Sequence, residues 1–345
     1  MPNSLKDTPL SILDLVTYPD GGSFAEAFAA SRDLARHAEK LGYHRYWIAE
    51  HHNLEGIASA ATVVLMGYIA GNTSTIRVGS GGIMLPNHAP FIVAEQIGTL
   101  ESIYPGRIDL GLGRAPGTDP LTMRALRRHS TGADFDANVA ELLSYLAPAK
   151  PGQAVKAVPG AGIDVPVWIL GSSTYSAHLA AAMGLPYAFA SHFAPGDLLE
   201  ALAIYRREFT PALRQAQGER MEQRQRERMG IDKPHVMVGV PFVAASSDER
   251  AQHLSTTMIQ RSLGILRGQR TALLPPVAEI ECGPAERAAL AERMTLFVVG
   301  GPARLADGLR HILDVTAADE LILVSETYDR ADRLESFRIA AELKA

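Results

Sequence analysis

The sequence predicts an α/β fold, a (β/α)8 TIM barrel with insertions, and three observations point to it. Apolar, strand-length runs alternate strictly with helix-length segments along most of the chain. Several runs end in polar or glycine residues, as at Trp47-Ile48-Ala49-Glu50-His51-His52-Asn53, Val78-Gly79-Ser80-Gly81-Gly82 and Ile108-Asp109-Leu110-Gly111-Leu112-Gly113-Arg114. Chemistry gathered at the C-terminal ends of successive strands is how such a barrel builds a site. No Gly-x-Gly-x-x-Gly follows the first strand, which weakens the doubly wound open sheet as an alternative.

The elements follow in order. Residues 10–16 form a short apolar strand, and Gly21-Gly22-Ser23 turns the chain into a helix, with Ser23 and Glu26 spaced as a capping box. Phe24, Ala27, Phe28, Ser31, Leu34, Ala35, Ala38 and Leu41 share one face of that helix, which stops near Gly42. A strand at 44–49 precedes a small-residue helix from about Ser59 to Gly71. The strand 76–85, a helix from Pro90 to about Ser102 and the strand 107–112 continue the alternation. After a more polar stretch come a helix near 136–146, a Pro/Gly-rich connection over 148–162 and the strand 165–170. Gly171-Ser172-Ser173 opens an Ala-rich helix that stops at Gly184, and a strand spans 187–191. A helix from Gly196 continues into an Arg/Glu/Gln-rich segment through Met229. Residues 235–244 make the seventh strand, 248–266 a helix, and 320–325 the eighth strand.

The chain has 345 residues and reads as one domain over 1–345, a size that barrels with insertions reach. A hydrophobic fraction of 47%, a charged fraction of 21% and a mean hydropathy of +0.01 describe a globular protein. A net charge of −5 offers no basic field for nucleic acid. The lone Cys282, an N-terminus without an apolar core and the lack of any run long enough to span a bilayer point to the cytoplasm. The mixed-charge segment 214–233 reads as a solvated helical extension. The irregular insertion 268–284, with Pro275-Pro276, reads as a lid over the barrel mouth.

Arg114 follows Gly111-Leu112-Gly113 at the end of the fourth strand. Glycines let an anion approach the backbone, and the guanidinium offers a planar, permanently charged fork for phosphate. The alternative is a pair with a surface carboxylate such as Asp119. Gly171-Ser172-Ser173-Thr174-Tyr175-Ser176 joins a strand to a helix, so its hydroxyls and free amides form an anion site, or else simple N-caps. Gly79, Gly81 and Gly82 weaken a strand unless a flat ligand or a neighbouring backbone comes close; a β-bulge is the other reading. His51 and His52, being adjacent, point to opposite sides, so one metal cannot easily take both, and no metal is expected. One imidazole near pH 7 suits general acid or base work, with Glu50 setting its tautomer or pKa. No Gly-x-Ser-x-Gly elbow or cysteine nucleophile supports hydrolysis.

Together these runs resemble the bacterial luciferase-like flavin monooxygenases, over nearly the whole length and most densely from Ala49 to Asp119 and from Ile169 to Phe193. Within that family the chain is similar to the alkanal monooxygenase alpha-chain-like oxidoreductases. The resemblance implies that His51 is the catalytic histidine beside the flavin. It places Gly81 and Gly82 under the isoalloxazine, where the family often has a non-proline cis peptide, and makes Arg114, Gly171, Ser172, Ser173 and Ser176 the phosphate-binding turn. Ala190, Ser191 and His192 then line the ring's surroundings, and 268–284 falls where luciferases have a mobile loop. Light-emitting alpha subunits carry a thiol where Gly113 stands and alanines at Gly81 and Gly82, so light emission is not expected.

The implied activity is oxygenation of a small organic substrate by reduced FMN and O2, with a separate flavin reductase supplying the flavin and a homodimer as the usual assembly. The lack of a nicotinamide fingerprint fits such a supply. Three alternatives stay open: a deazaflavin-dependent hydride-transferring oxidoreductase, a non-catalytic flavin-binding protein and a sugar-phosphate barrel enzyme.

Overall fold

The protein is described by a computed structural model covering residues 4–115, 119–126, 134–210, 232–269 and 272–344. The first strand, β1 (Leu10–Asp14), leads into α1 (Phe24–Lys40). The predicted capping box is present: Glu26 donates its amide to Ser23 Oγ at 3.2 Å, and Ser23 donates its own to Glu26 Oε2 at 2.8 Å. The buried positions Ala27, Ser31, Leu34, Ala35 and Ala38 recur at helical spacing, so one face of α1 packs on the barrel.

The order continues through β2 (Arg45–Ile48), α2 (Thr62–Ala70), β3 (Arg77–Ser80), β4 (Ile83–Met84), α3 (Pro90–Ile103) and β5 (Ile108–Gly113). Next come α4 (Pro120–Ala125), α5 (Phe135–Leu146), β6 (Val167–Gly171), α6 (Thr174–Met183), β7 (Tyr187–Phe189) and α7 (Leu198–Glu208). The last third holds β8 (Val236–Ala244), α8 (Asp248–Leu266), α9 (Pro284–Arg293), β9 (Val298–Gly300), α10 (Pro302–Thr316), β10 (Glu320–Val324) and α11 (Arg330–Glu342).

Strands β1, β2, β3, β5, β6, β7, β8 and β10 pair in parallel, and β10 returns to β1, so the sheet closes into the predicted barrel. Leu10 faces Leu321 across the closing seam, and Glu320 faces Met237 on the other side of β10. The strand predicted over 76–85 is divided. Its peptide Gly81–Gly82 is cis, and Ile83 and Met84 resume pairing with Leu112 and Gly113 as β4.

Other differences lie outside the barrel wall. Helix α7 stops at Glu208 rather than running on, with the Phe209 backbone extended at ψ 122°, two residues before Pro211. Most of the charged segment 214–233 lies outside the described residues. Helices α4, α9, α10 and α11, and β9 paired with the far end of β8, were not predicted. Among the described residues no helix is long and apolar enough to cross a membrane.

Alternate residues of each strand point into the barrel and stack in layers. The N-terminal layer is ionic. Arg45 Nη1 lies 2.8 Å from Asp109 Oδ2, Arg45 Nε 3.1 Å from Glu320 Oε1, and Arg77 Nη2 2.7 Å from Asp109 Oδ1. Above it Leu13, Trp47, Trp168, Ala188, Met237 and Ile322 form an apolar plug, with the two indoles edge to face at 5.3 Å. This plug is the base of the cavity that opens at the C-terminal rim.

Candidate active site

A cavity of about 610 Å³ occupies the C-terminal mouth of the barrel. Its walls follow the parity of the strands. Leu13 and Leu15, Trp47, Ala49 and His51, and Ile322, Val324 and Glu326 each line it at steps of two. His51, Gly81, Gly82, Arg114, Gly171, Ser172, Ser173, Ser176 and Ala190, all marked by the sequence, meet at this one cavity. Ser191 does not line it: its buried hydroxyl donates to the Gly239 carbonyl at 2.5 Å. The parity of β7 turns Ser191 outward and sends His192 inward instead.

Strand β6 delivers Gly171-Ser172-Ser173 to the start of α6. Ser173 is the N-cap residue with extended backbone, yet no side chain caps that end, so the simple-capping alternative is not what the turn does. Gly171 is required there, since a Cβ would fall 2.1 Å from Ser176 Oγ. The buried Ser176 hydroxyl donates to the Ser173 carbonyl at 2.8 Å and lies 3.0 Å from the Tyr187 hydroxyl, which steadies the turn. Arg114 lies over the Tyr175 ring at 3.9 Å, and Asp136 of α5 anchors that ring by accepting from its hydroxyl. Asp119, the alternative partner of Arg114, caps α4 through the amides of Leu121 and Thr122 and accepts from Asn53. A guanidinium, two hydroxyls and the positive end of a ten-residue helix thus converge, a donor set suited to a phosphate dianion.

His51 lines the same cavity. Its buried Nδ1 has no hydrogen-bond partner. Burial, reinforced by the nearby Arg261 charge, pulls its pKa down to about 4, so it is a neutral imidazole at pH 7. Glu50 acts on it through charge, raising its pKa against the burial, while its carboxylate oxygens bond elsewhere. Glu50 Oε1 accepts from His52 Nε2 and His88 Nε2, both at 2.8 Å, while Met84 donates its amide to Oε2. Although burial opposes it, these imidazoles hold the Glu50 carboxyl down at about 2. Glu50, His52 and His88 each offer one atom able to hold a metal, all within 4.8 Å of one another, a grouping not expected from the adjacency of His51 and His52. His192, also buried at Nδ1 without a partner, is pulled down to about 4 by burial and then by His51 and Arg293.

The glycines of the third strand are explained by neighbouring protein atoms. A Cβ at Gly79 would sit 2.5 Å from Trp47 Nε1, at Gly81 2.5 Å from Leu13 Cδ1, and at Gly82 2.8 Å from the Gly111 carbonyl oxygen. Gly81 and Gly82 nonetheless face the cavity, so their lack of side chains also leaves its wall flat.

The insertion is tied across the rim. Leu273, buried, donates its amide to the Tyr18 carbonyl and accepts from the Asp20 amide, each at 2.9 Å. Thr257 and Gln260 of α8 bond the carbonyls of Leu274 and Pro275. Sequence reasoning missed Arg261, Arg293 and Glu326, which also line the cavity. Parity along the last strand could have found Glu326; nothing local marks the two arginines.

The family model described as luciferase-like monooxygenase matches residues 10–319. A luciferase-like monooxygenase of Escherichia coli (strain K12) is 48% identical over 343 residues, 98% of this chain and 98% of that one. The crystal structure of apo-MsnO8 superposes with a TM-score of 0.87 at 35% identity, covering 99% of this chain and 98% of that one. The oxygenating constituent of 3,6-diketocamphane monooxygenase from Pseudomonas putida, solved in complex with FMN, shares the fold with a TM-score of 0.66 at 18% identity, covering 97% of each chain. With a closed parallel barrel and its cavity at the C-terminal rim, the chain belongs to the luciferase-like monooxygenase family.

Proposed function

We propose that this chain is a flavin-dependent monooxygenase that uses reduced FMN and O2 to oxygenate a small organic substrate, working as a homodimer supplied by a separate flavin reductase. The observation that carries the reading is one shared cavity lined by Arg114, the uncapped Ser172–Ser173 turn and His51 with its unpartnered Nδ1. Arg114, Ser172, Ser173 and Ser176 would hold the phosphate. Gly81, Gly82 and Ala190 would border the ring. When bound, reduced FMN supplies the electrons that activate oxygen.

The chain's own contribution is position, dryness and a proton path. Trp47, Leu13, Ile322 and Val324 exclude water from the cavity base, which strengthens every polar contact there. His51, neutral at pH 7, accepts a proton at the free Nδ1 and returns it to a neighbouring oxygen. The insertion, pinned by Leu273 to the β1–α1 loop, is the proposed lid.

Purified protein given reduced FMN and 18O2 with a panel of small organic compounds tests the reading. One labelled oxygen atom should enter a product, and His51→Asn should lower the yield while flavin still binds. Oxidation of the flavin at its free-solution rate with no labelled product would contradict the proposal; hydride transfer from a bound deazaflavin instead would favour the rival oxidoreductase.

A further inference from the structure

Beside the phosphate-turn groups, one side of the cavity carries charged groups that oxygen activation does not need. Arg261 of α8 and Glu326, two residues beyond β10, form an ion pair with Nη1 and Oε1 3.1 Å apart, their side chains 12% and 8% exposed. Arg293, the last residue of α9, lies over the Phe193 ring at 5.0 Å and also faces the cavity. Among the described residues no carboxylate pairs with it.

The charges sum simply. Arg261 and Glu326 cancel as an ion pair, so Arg293 is left as an uncompensated positive charge. The surrounding wall, with Met258, Val324 and Ile322, is apolar. A half-buried guanidinium without a counterion is unfavourable, and burial alone already lowers its proton affinity. A ligand with a single negative charge and an apolar body answers both features at once.

We propose that this side of the cavity is a subsite for a monoanionic organic acid, its carboxylate received by the Arg293 guanidinium and its apolar body laid along Met258 and Val324. A guanidinium fork matches a carboxylate bidentately. Glu326 is a positioning residue: by holding Arg261 it keeps that second guanidinium from attracting another anion. The inference rests on the flavin reading, because the oxygenated atom of the acid would then lie between Arg293 and the ring.

Calorimetric titration of the FMN-saturated protein with hexanoate and with hexanamide tests it. Hexanoate should bind at least about tenfold more tightly than the amide, the range expected for one charge-assisted pair, and Arg293→Gln should erase the difference while FMN affinity stays unchanged. In case Arg293→Gln fails to fold, the His192 ring is titrated by NMR in the wild-type chain: hexanoate should raise its pKa. Equal binding of acid and amide, or an unmoved His192, overturns the proposal. Repeating the titration without FMN separates sources, since a carboxylate held at Arg114 is displaced by FMN and would also overturn it. If FMN itself fails to bind while Arg293-dependent hexanoate binding persists, the flavin reading fails and the anion subsite stands.

Discussion

His51 and His52 differ by one peptide bond and face different worlds. His51 enters the cavity with a free Nδ1, while His52 turns away to donate to Glu50. The unfolded pKa of a histidine is near 6.5, and His51 and His192 sit at about 4 in the folded chain. On acidification below about 6.5 the unfolded chain therefore takes up protons that the folded chain refuses. Stability is full above that pH and falls progressively toward pH 4. Thermal unfolding followed by circular dichroism should show Tm dropping between pH 6.5 and 4.5, and a His51→Asn/His192→Asn variant should flatten that slope. Equal slopes would mean that neither imidazole is held neutral by burial. The same residues show what was legible in the sequence. Strand parity foretells that only one of two adjacent histidines reaches the site, and the same rule, applied to β7, exchanges Ser191 for His192.

At the scale of elements, the third strand is the most constrained. Its break at Gly81–Gly82 lets β3 and β4 both pair with β5, and a side chain at Gly82 would press on the Gly111 carbonyl, a backbone atom that cannot rotate away. Gly82→Ala should cost about 1–3 kcal/mol by overpacking, measured by urea unfolding. Gly196→Ala, where an added Cβ meets nothing, should change stability by less than about 0.5 kcal/mol. A Gly82→Ala variant as stable as wild type would remove close approach as the reason for the glycine. Elements with clear period and punctuation, such as α1 with its capping box, are legible from residues alone. Short β9 and the helices from Pro284 onward were not predicted, although α10 and α11 flank β10 in the same strand–helix alternation and bury Leu309 and Phe337 in the core. Arg261 and Arg293 come to the cavity from helices, where a cavity-facing arginine carries the same local pattern as a solvated one.

For the whole molecule, closure of the barrel brings together charges distant in the chain. Asp109 is fully buried and accepts from Arg45, Arg77 and the Trp47 indole, and Glu320 reaches the same Arg45 from the last strand. Despite burial, Arg45 and His235 hold the Glu320 carboxyl at about 2, so its contribution is present above pH 4.5 and lost as pH falls toward 2. Asp109→Ala would leave two arginines without their shared partner at the base of the barrel. It should cost about 3–5 kcal/mol, seen as a lower urea midpoint; a loss under about 1 kcal/mol would show that the ionic layer is not a structural unit.

A phosphorylated flavin bound by Arg114 and facing His51 is the central claim. Anaerobic titration with reduced FMN and, in parallel, reduced riboflavin tests that most directly. FMN should bind at least about tenfold more tightly, as one charge-assisted bidentate contact requires, and Arg114→Met should narrow that gap by weakening FMN without changing the affinity for riboflavin. Equal affinity of the wild-type chain for the two flavins would contradict the account.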